Sequence, residues 1–139
     1  MLLYNAGIFT ACSAFIENGY ILIKDGKIID VGPMDFCPND EEKYDLSGLT
    51  VYPGFIDAHC HLGMWEDGLS FEGDDGNEDT DPATPHLRAI DAINPADYSF
   101  KEAIEAGVTA VVTGPGSANP VAGQMVAIKT YGDRVDDMI

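Results

Sequence analysis

The chain has 139 residues, 45% of them hydrophobic and 22% charged, so it can build a core and is not wholesale disordered. Acids outnumber bases 24 to 7, for a formal charge of -17, which argues against nucleic acid and anionic membrane surfaces as partners. No apolar run approaches the ~20 residues that span a bilayer, and the length falls short of the about 250 residues of a complete (β/α)8 barrel.

Residues 1–16 are apolar enough to mimic a signal peptide, but no positive n-region precedes them and Tyr4-Asn5 breaks the run. They are read as a first strand. Cys12, Cys37 and Cys60 form no C-x-x-C pair, so a reduced, cytoplasmic protein is expected. Gly19–Lys24 and Lys27–Gly32 are two β-branched-rich runs around Asp25-Gly26, a strong hairpin signal. Residues 34–43, with Pro38, Asn39, Asp40, Glu41 and Glu42, read as a solvated loop, and Asp45–Tyr52 returns toward another strand.

Pro53-Gly54 marks a change of character, and the domain boundary is placed there: 1–52 and 53–139. From Phe55 to Leu62 the residues alternate with period two. Ile56, Ala58, Cys60 and Leu62 make one apolar face; Phe55, Asp57, His59 and His61 make the other, which turns polar toward its end. Residues 63–96 are a long acidic stretch with no base before Arg88, and loops of that length are functional or disordered. Ser99-Phe100-Lys101-Glu102 fits a capping box with Ser99 as N-cap, and Gly107 suits the helix C′ position. Val108–Thr113 is nearly all β-branched, as in a strand covered on both faces. Strand, loop, helix and strand in that order imply a right-handed parallel βαβ crossover. Gly114-Pro115-Gly116 ends it in a turn that lets the following loop approach the site, and Gln124–Lys129 can form another short strand.

The chemistry concentrates at His59-Cys60-His61. On a strand, residues i and i+2 point the same way with Cα atoms about 6.5–7 Å apart. Two neutral imidazoles so placed can converge on one Zn2+ at about 2.0–2.1 Å each. Cys60 points to the opposite face and should pack, while Asp57 could be an acceptor that fixes a histidine tautomer. A bare H-x-H also arises from core packing. Its position after Pro-Gly, at the end of an alternating strand and before a polar loop, favours metal.

Pro53-Gly54-Phe55-Ile56-Asp57-Ala58-His59-Cys60-His61-Leu62 resembles the P-G-x-x-D-x-H-x-H signature of the amidohydrolase superfamily, and the hairpin with Ile23–Ile28 and Val31-Gly32 is similar to that superfamily's N-terminal segment. Thr113–Ser117, Gly123-Gln124 and Lys129 look closest to imidazolonepropionase-like members. The resemblance implies an α/β chain: an N-terminal β-sandwich segment, then the first βα units of a TIM (β/α)8 barrel, incomplete here. It implies a metal-dependent hydrolase of a C–N bond in a cyclic amide, amide or amidine, using water activated by Zn2+, with one or two divalent metals and Fe or Mn as other possibilities. His59 and His61 would be the strand-1 metal ligands. The general base and remaining ligands are expected beyond residue 139, so the 139 residues alone are expected to be inactive.

Of the other candidates, His86 could contact a small-molecule substrate, although a solvated loop histidine is the plainer reading. Arg88 could grip a substrate carboxylate or pair with surrounding acids. The acids of residues 66–81 lack the EF-hand spacing and read as a solvated loop. Gln124 and Lys129 are read as structural. Parallel strands with open edges imply that the chain forms a homo-oligomer or needs a C-terminal complement. Two other readings stay open: a catalytically incomplete fragment, or a non-catalytic acidic binding module whose H-x-H merely packs.

Overall fold

The structure, a computed structural model, describes residues 1–39, 42–66 and 68–139, so the loop expectations at Asp40, Glu41 and Asp67 lie outside the described residues. The chain divides into two compact units, Met1–Pro53 and Gly54–Ile139.

In the first unit, β1 (Leu2–Ile8), β2 (Ile16–Lys24), β3 (Lys27–Pro33), β4 (Lys43–Asp45) and β5 (Thr50–Val51) form one sheet. β1 sits inside it. It pairs antiparallel with β2 and parallel with β4 and β5, while β3 flanks β2. The expected hairpin is present at the expected place. Asp25 and Gly26 have φ of 51° and 70°, the left-handed pair that a two-residue turn matched to strand twist requires.

β1 carries Asn5 at φ 59° between Tyr4 and Ala6, where the pairing with β2 slips. A second slip, between Ala6 and Ile8, restores the register, since Leu2 pairs with Leu22 and Ile8 with Ile16. Ala6, Ile8 and Ile21 therefore reach the same core, joined by Leu3, Ile16, Ile23, Val31, Leu46 and Val51. The Tyr20 hydroxyl donates to Asp30 Oδ2 at 2.7 Å, and that bond to the carboxylate holds the phenol pKa above its ordinary value.

The second unit is built on β6 (Phe55–Cys60), β7 (Val108–Thr113) and β8 (Val126–Lys129). β6 and β7 pair parallel, as the crossover reading requires, and β8 runs antiparallel to β7. A closed barrel is not shown; the sheet has three strands. The expected burial of both faces of β7 does not occur. Val111 and Thr113 are buried, but Val108, Ala110 and Val112 on the other face are only half-buried, and Thr109 is exposed. The core instead lies on one side: Met64, Ala89, Ile93, Phe100, Val111, Ile128 and Met138.

The alternation expected for β6 is also interrupted. Asp57 pairs with Val111 but Cys60 pairs with Thr113, so β6 accommodates an extra residue between them. Cys60 and Leu62 pack against the core as expected, whereas Ile56 is 72% exposed. The helix α1 (Tyr98–Glu105) packs on β7, leaving the start of β6 uncovered. A short second helix, α2 (Val135–Met138), seats Met138 in the core. Among the described residues, no helix is long and apolar enough to cross a membrane.

The start of α1 differs from the capping-box expectation. Asp97, not Ser99, is the N-cap: its Oδ1 accepts the Ser99 amide at 3.0 Å and the Ser99 hydroxyl as well. A carboxylate competes well for that place because it accepts both donors at once and complements the helix dipole. Gly107 occupies C′ at φ 85° as expected, its amide bonded to the Ile104 carbonyl.

Two outcomes follow from these contacts. Asp97→Ala should lower unfolding free energy by about 1 kcal/mol in urea titrations. Relief of the buried, unpartnered Asp97 Oδ2 offsets part of that loss. Ser99→Ala should cost clearly less; equal losses would restore Ser99 as the cap.

The carboxyls of Asp45, Glu78 and Asp91 are held below their ordinary range by hydrogen bonds from Ser47, Thr80 and Arg88 respectively. A lowered folded pKa gives stability that is full above the ordinary carboxylate values of about 4 and is lost as pH falls from them through the lowered folded values. The melting temperature should therefore drop between about pH 5 and pH 3. Glu78→Gln should flatten that drop slightly, the effect being small because the Thr80–Glu78 hydrogen bond is open to solvent. A slope unchanged in Glu78→Gln would remove Glu78 from the account.

Candidate functional site at the end of the parallel strand pair

β6 delivers His59 and His61 side by side. Their ring centroids are 5.4 Å apart with planes at 83°. Two imidazoles sharing one tetrahedral cation, with Zn–N of about 2.1 Å, place their ring centres roughly 5 Å apart, so the spacing is compatible with a shared ion. His59 is exposed and His61 is half-buried. Among the described residues no third His, Cys, Asp or Glu joins them in a group able to hold a metal.

The His61 ring is fixed by the neighbouring strand. Its Nδ1 lies 2.8 Å from the carbonyl oxygen of Gly114, the residue after β7. A carbonyl can only accept, so Nδ1 must carry the proton and donate. In the neutral ring Nε2 then keeps its lone pair. Gly114 is held in place by its amide, which donates to the Cys60 carbonyl at 3.2 Å. The Thr113 hydroxyl donates to the Leu62 carbonyl at 2.8 Å. Together these bonds extend the β6–β7 connection past the last residue of each strand.

Asp57 behaves differently from the tautomer-fixing acceptor expected from the sequence. Its Oδ1 accepts the backbone amide of His59 at 3.1 Å. That amide lies where β6 carries its extra residue, so the carboxylate satisfies a donor that the irregular pairing leaves over. The acceptor at a histidine ring is the Gly114 carbonyl. Sequence reading places the Gly114-Pro115-Gly116 turn near the site but not this contact, because a backbone oxygen carries no residue-type signal.

The turn after β6 brings in a residue that the sequence reading missed. The His61 carbonyl accepts the Met64 amide at 3.1 Å, and Gly63 takes the left-handed φ of 83° that such a reversal needs. Trp65 is thereby returned over His61, with ring centroids 5.1 Å apart and planes at 78°. A glycine two residues after the second histidine, followed by an aromatic, was the available signal.

His86 and Arg88 are not drawn to this pair. His86 is exposed on its loop. Arg88 forks onto Asp91, Nε to Oδ2 at 2.8 Å and Nη2 to Oδ1 at 2.6 Å. Its guanidinium thus has a carboxylate already, and both residues border a cavity of about 170 Å³ with Asp75, Asn77 and Glu78. Gln124 is structural as expected: its side-chain amide donates to the Pro85 carbonyl and its backbone pairs with Arg88.

Comparison with known proteins bears on this arrangement. No protein-family model matches the chain. An amidohydrolase, tasK, of Hapsidospora irregularis is 36% identical over 122 residues, covering 87% of this chain and 12% of that protein. An imidazolonepropionase of Thermoanaerobacter pseudethanolicus is 47% identical over 47 residues, 34% of this chain and 11% of its own length. The crystal structure of an amidohydrolase from Thermotoga maritima MSB8 superposes with a TM-score of 0.91 at 42% identity, covering 99% of this chain and 36% of that one. The chain thus spans about an eighth of the curated relatives it matches and about a third of the solved structure. With that likeness of fold and sequence around the paired histidines, the chain belongs to the amidohydrolase superfamily, over a partial length that fits an N-terminal portion of its members.

Proposed function

We propose that His59 and His61 are one arm of a divalent-metal site, Zn2+ by preference, in a hydrolase that cleaves a C–N bond of a cyclic amide, amide or amidine. The names of the relatives, amidohydrolase and imidazolonepropionase, support C–N bond hydrolysis as the reaction class. The observation that carries the reading is the pair of rings at 5.4 Å, with the proton of His61 committed to Gly114. When bound, the metal would supply Lewis acidity and bring the pKa of a water toward neutrality.

The chain's own contribution is to present two imidazoles without rearrangement. His61 offers Nε2 because Nδ1 is occupied. Asp57 holds the backbone at His59 and so sets the direction of that side chain. Acids dominate the neighbouring residues 66–81, which contain no Lys or Arg, and their field would favour neutral or cationic substrates over anionic ones. With two ligands and no third among the described residues, we expect the 139-residue chain to bind metal weakly and not to turn substrate over.

Equilibrium dialysis of the chain against Zn2+, read by atomic emission, checks the assignment. His59→Ala and His61→Ala should each abolish the bound fraction, since one imidazole alone does not hold the ion. His86→Ala should leave it unchanged. Equal stoichiometry in wild type and in both strand variants would end the ligand assignment.

A further inference from the structure

Trp65 is the chain's one tryptophan, and its indole is confined on two sides. A Cβ at Gly76 would fall 1.8 Å from the ring's Cζ2, and one at Gly116 would fall 2.8 Å from Cη2. Both are closer than any real side chain could stand, so the indole fits only because two glycines face it. Those glycines are tied to each other, the Gly116 amide donating to the Gly76 carbonyl at 2.7 Å. The slot is anchored beside its occupant as well: Trp65 bridges antiparallel to Asp74, and the Asp75 amide donates to the Met64 carbonyl at 3.0 Å.

The same indole meets His61 edge to face. His61 is bonded to Gly114, two residues before Gly116. The contacts thus close a circuit: His61 to Gly114, along the turn to Gly116, across to Gly76, onto Trp65 and back to His61. The links from His61 to Gly114 and from Gly116 to Gly76 are hydrogen bonds, whereas the indole joins the circuit by contact at both Gly76 and the imidazole, so removing the indole opens it at the imidazole.

We propose that Trp65 is a positioning residue for His61: clamped in the Gly76–Gly116 slot, it holds the imidazole on the Gly114 carbonyl and keeps Nε2 as the free donor atom. Unbound imidazole favours the Nε2–H tautomer, so a ring released from this contact would lose the arrangement suited to metal. The metal arm of this inference rests on the function proposed above, whereas the tautomer arm does not.

The experiment uses 15N-labelled chain at about pH 9, where unperturbed imidazoles are neutral, and reads the ring tautomer of His61 by long-range 1H–15N correlation. Co2+ affinity is measured on the same samples by calorimetry. Wild type should show Nδ1–H. Trp65→Ala should move His61 toward Nε2–H and weaken Co2+ binding by roughly tenfold or more, the range seen when a ligand's supporting contact is removed. Trp65→Phe should keep both properties. Gly76→Ala, which displaces the indole without deleting it, should reproduce the loss and guards against an effect of lost folding in Trp65→Ala.

An unchanged Nδ1–H tautomer in both Trp65→Ala and Gly76→Ala, with Co2+ affinity within about twofold of wild type, overturns the proposal. Absence of Co2+ binding in wild type overturns the metal-ligand reading instead, and the tautomer then decides the role of Trp65 alone.

Discussion

The hydrogen bond from His61 Nδ1 to the Gly114 carbonyl ties sequence positions 53 apart, and the organisation of the second unit converges on it. It exists because β6 and β7 run parallel and end together. A parallel pair cannot be closed by a tight turn and needs a crossover. Here the crossover is the long acidic segment followed by α1, and the chain must fix that segment as well as the strands. The same bond decides a chemical property. By consuming the Nδ1 proton it leaves Nε2 as the free donor atom, so strand pairing and ligand preparation are one event.

The interruption in β6 belongs to the same constraint. A regular parallel strand directs alternate amides at its neighbour; the extra residue between Asp57 and Cys60 interrupts that alternation, and there the His59 amide is taken by a side chain. Asp57 is short enough to reach an amide two residues on, which a glutamate does less readily in extended backbone. The aspartate before the two histidines is thereby accounted for by backbone geometry, without invoking a contact to an imidazole ring. Beyond Cys60 the ladder is continued by Thr113 Oγ1 and the Gly114 amide, so the strand ends stay joined where the site needs them.

Much of this was legible in the residues. The Asp25-Gly26 hairpin, the strand at Val108–Thr113, the α1 stop at Gly107 and the packing role of Cys60 all appear where local rules place them. Those rules concern neighbours in sequence, and the structure obeys them. The failures share a different cause. Ser99 satisfies the capping-box pattern, yet Asp97 two residues earlier offers a stronger acceptor, and pattern matching does not weigh the two. Strict alternation in β6 breaks because register is settled by the partner strand, not by β6 itself. The slot that seats Trp65 and the contact to the Gly114 carbonyl were out of reach for the same reason. One rests on glycines 11 and 51 residues away, and the other is made to a backbone atom that any residue type would supply.

The charge of -17 also acquires a different meaning from the one composition suggests. Read as composition, it describes a field around a loop. In the structure many of these carboxylates have a local task. Asp45, Asp57, Asp74, Glu78, Asp81 and Asp97 each accept the backbone amide two residues ahead, as the Asn94 carboxamide also does. A segment poor in regular helix and strand leaves amides without ladder partners, and each must be satisfied by a side chain or by water. Carboxylates do this with two oxygens and with charge-assisted strength. Three of the 7 bases are paired locally too, Arg88 on Asp91, Arg134 on Asp137 and Lys101 on Glu105, so they neutralise little of the loop. Such exposed pairs are worth at most about 1 kcal/mol each. Part of the acidity of residues 66–81, at Asp74, Glu78 and Asp81, is therefore tied to how the crossover is built. Any electrostatic bias it imposes on a substrate comes with the scaffold, and removing it by substitution would remove turns along with charge.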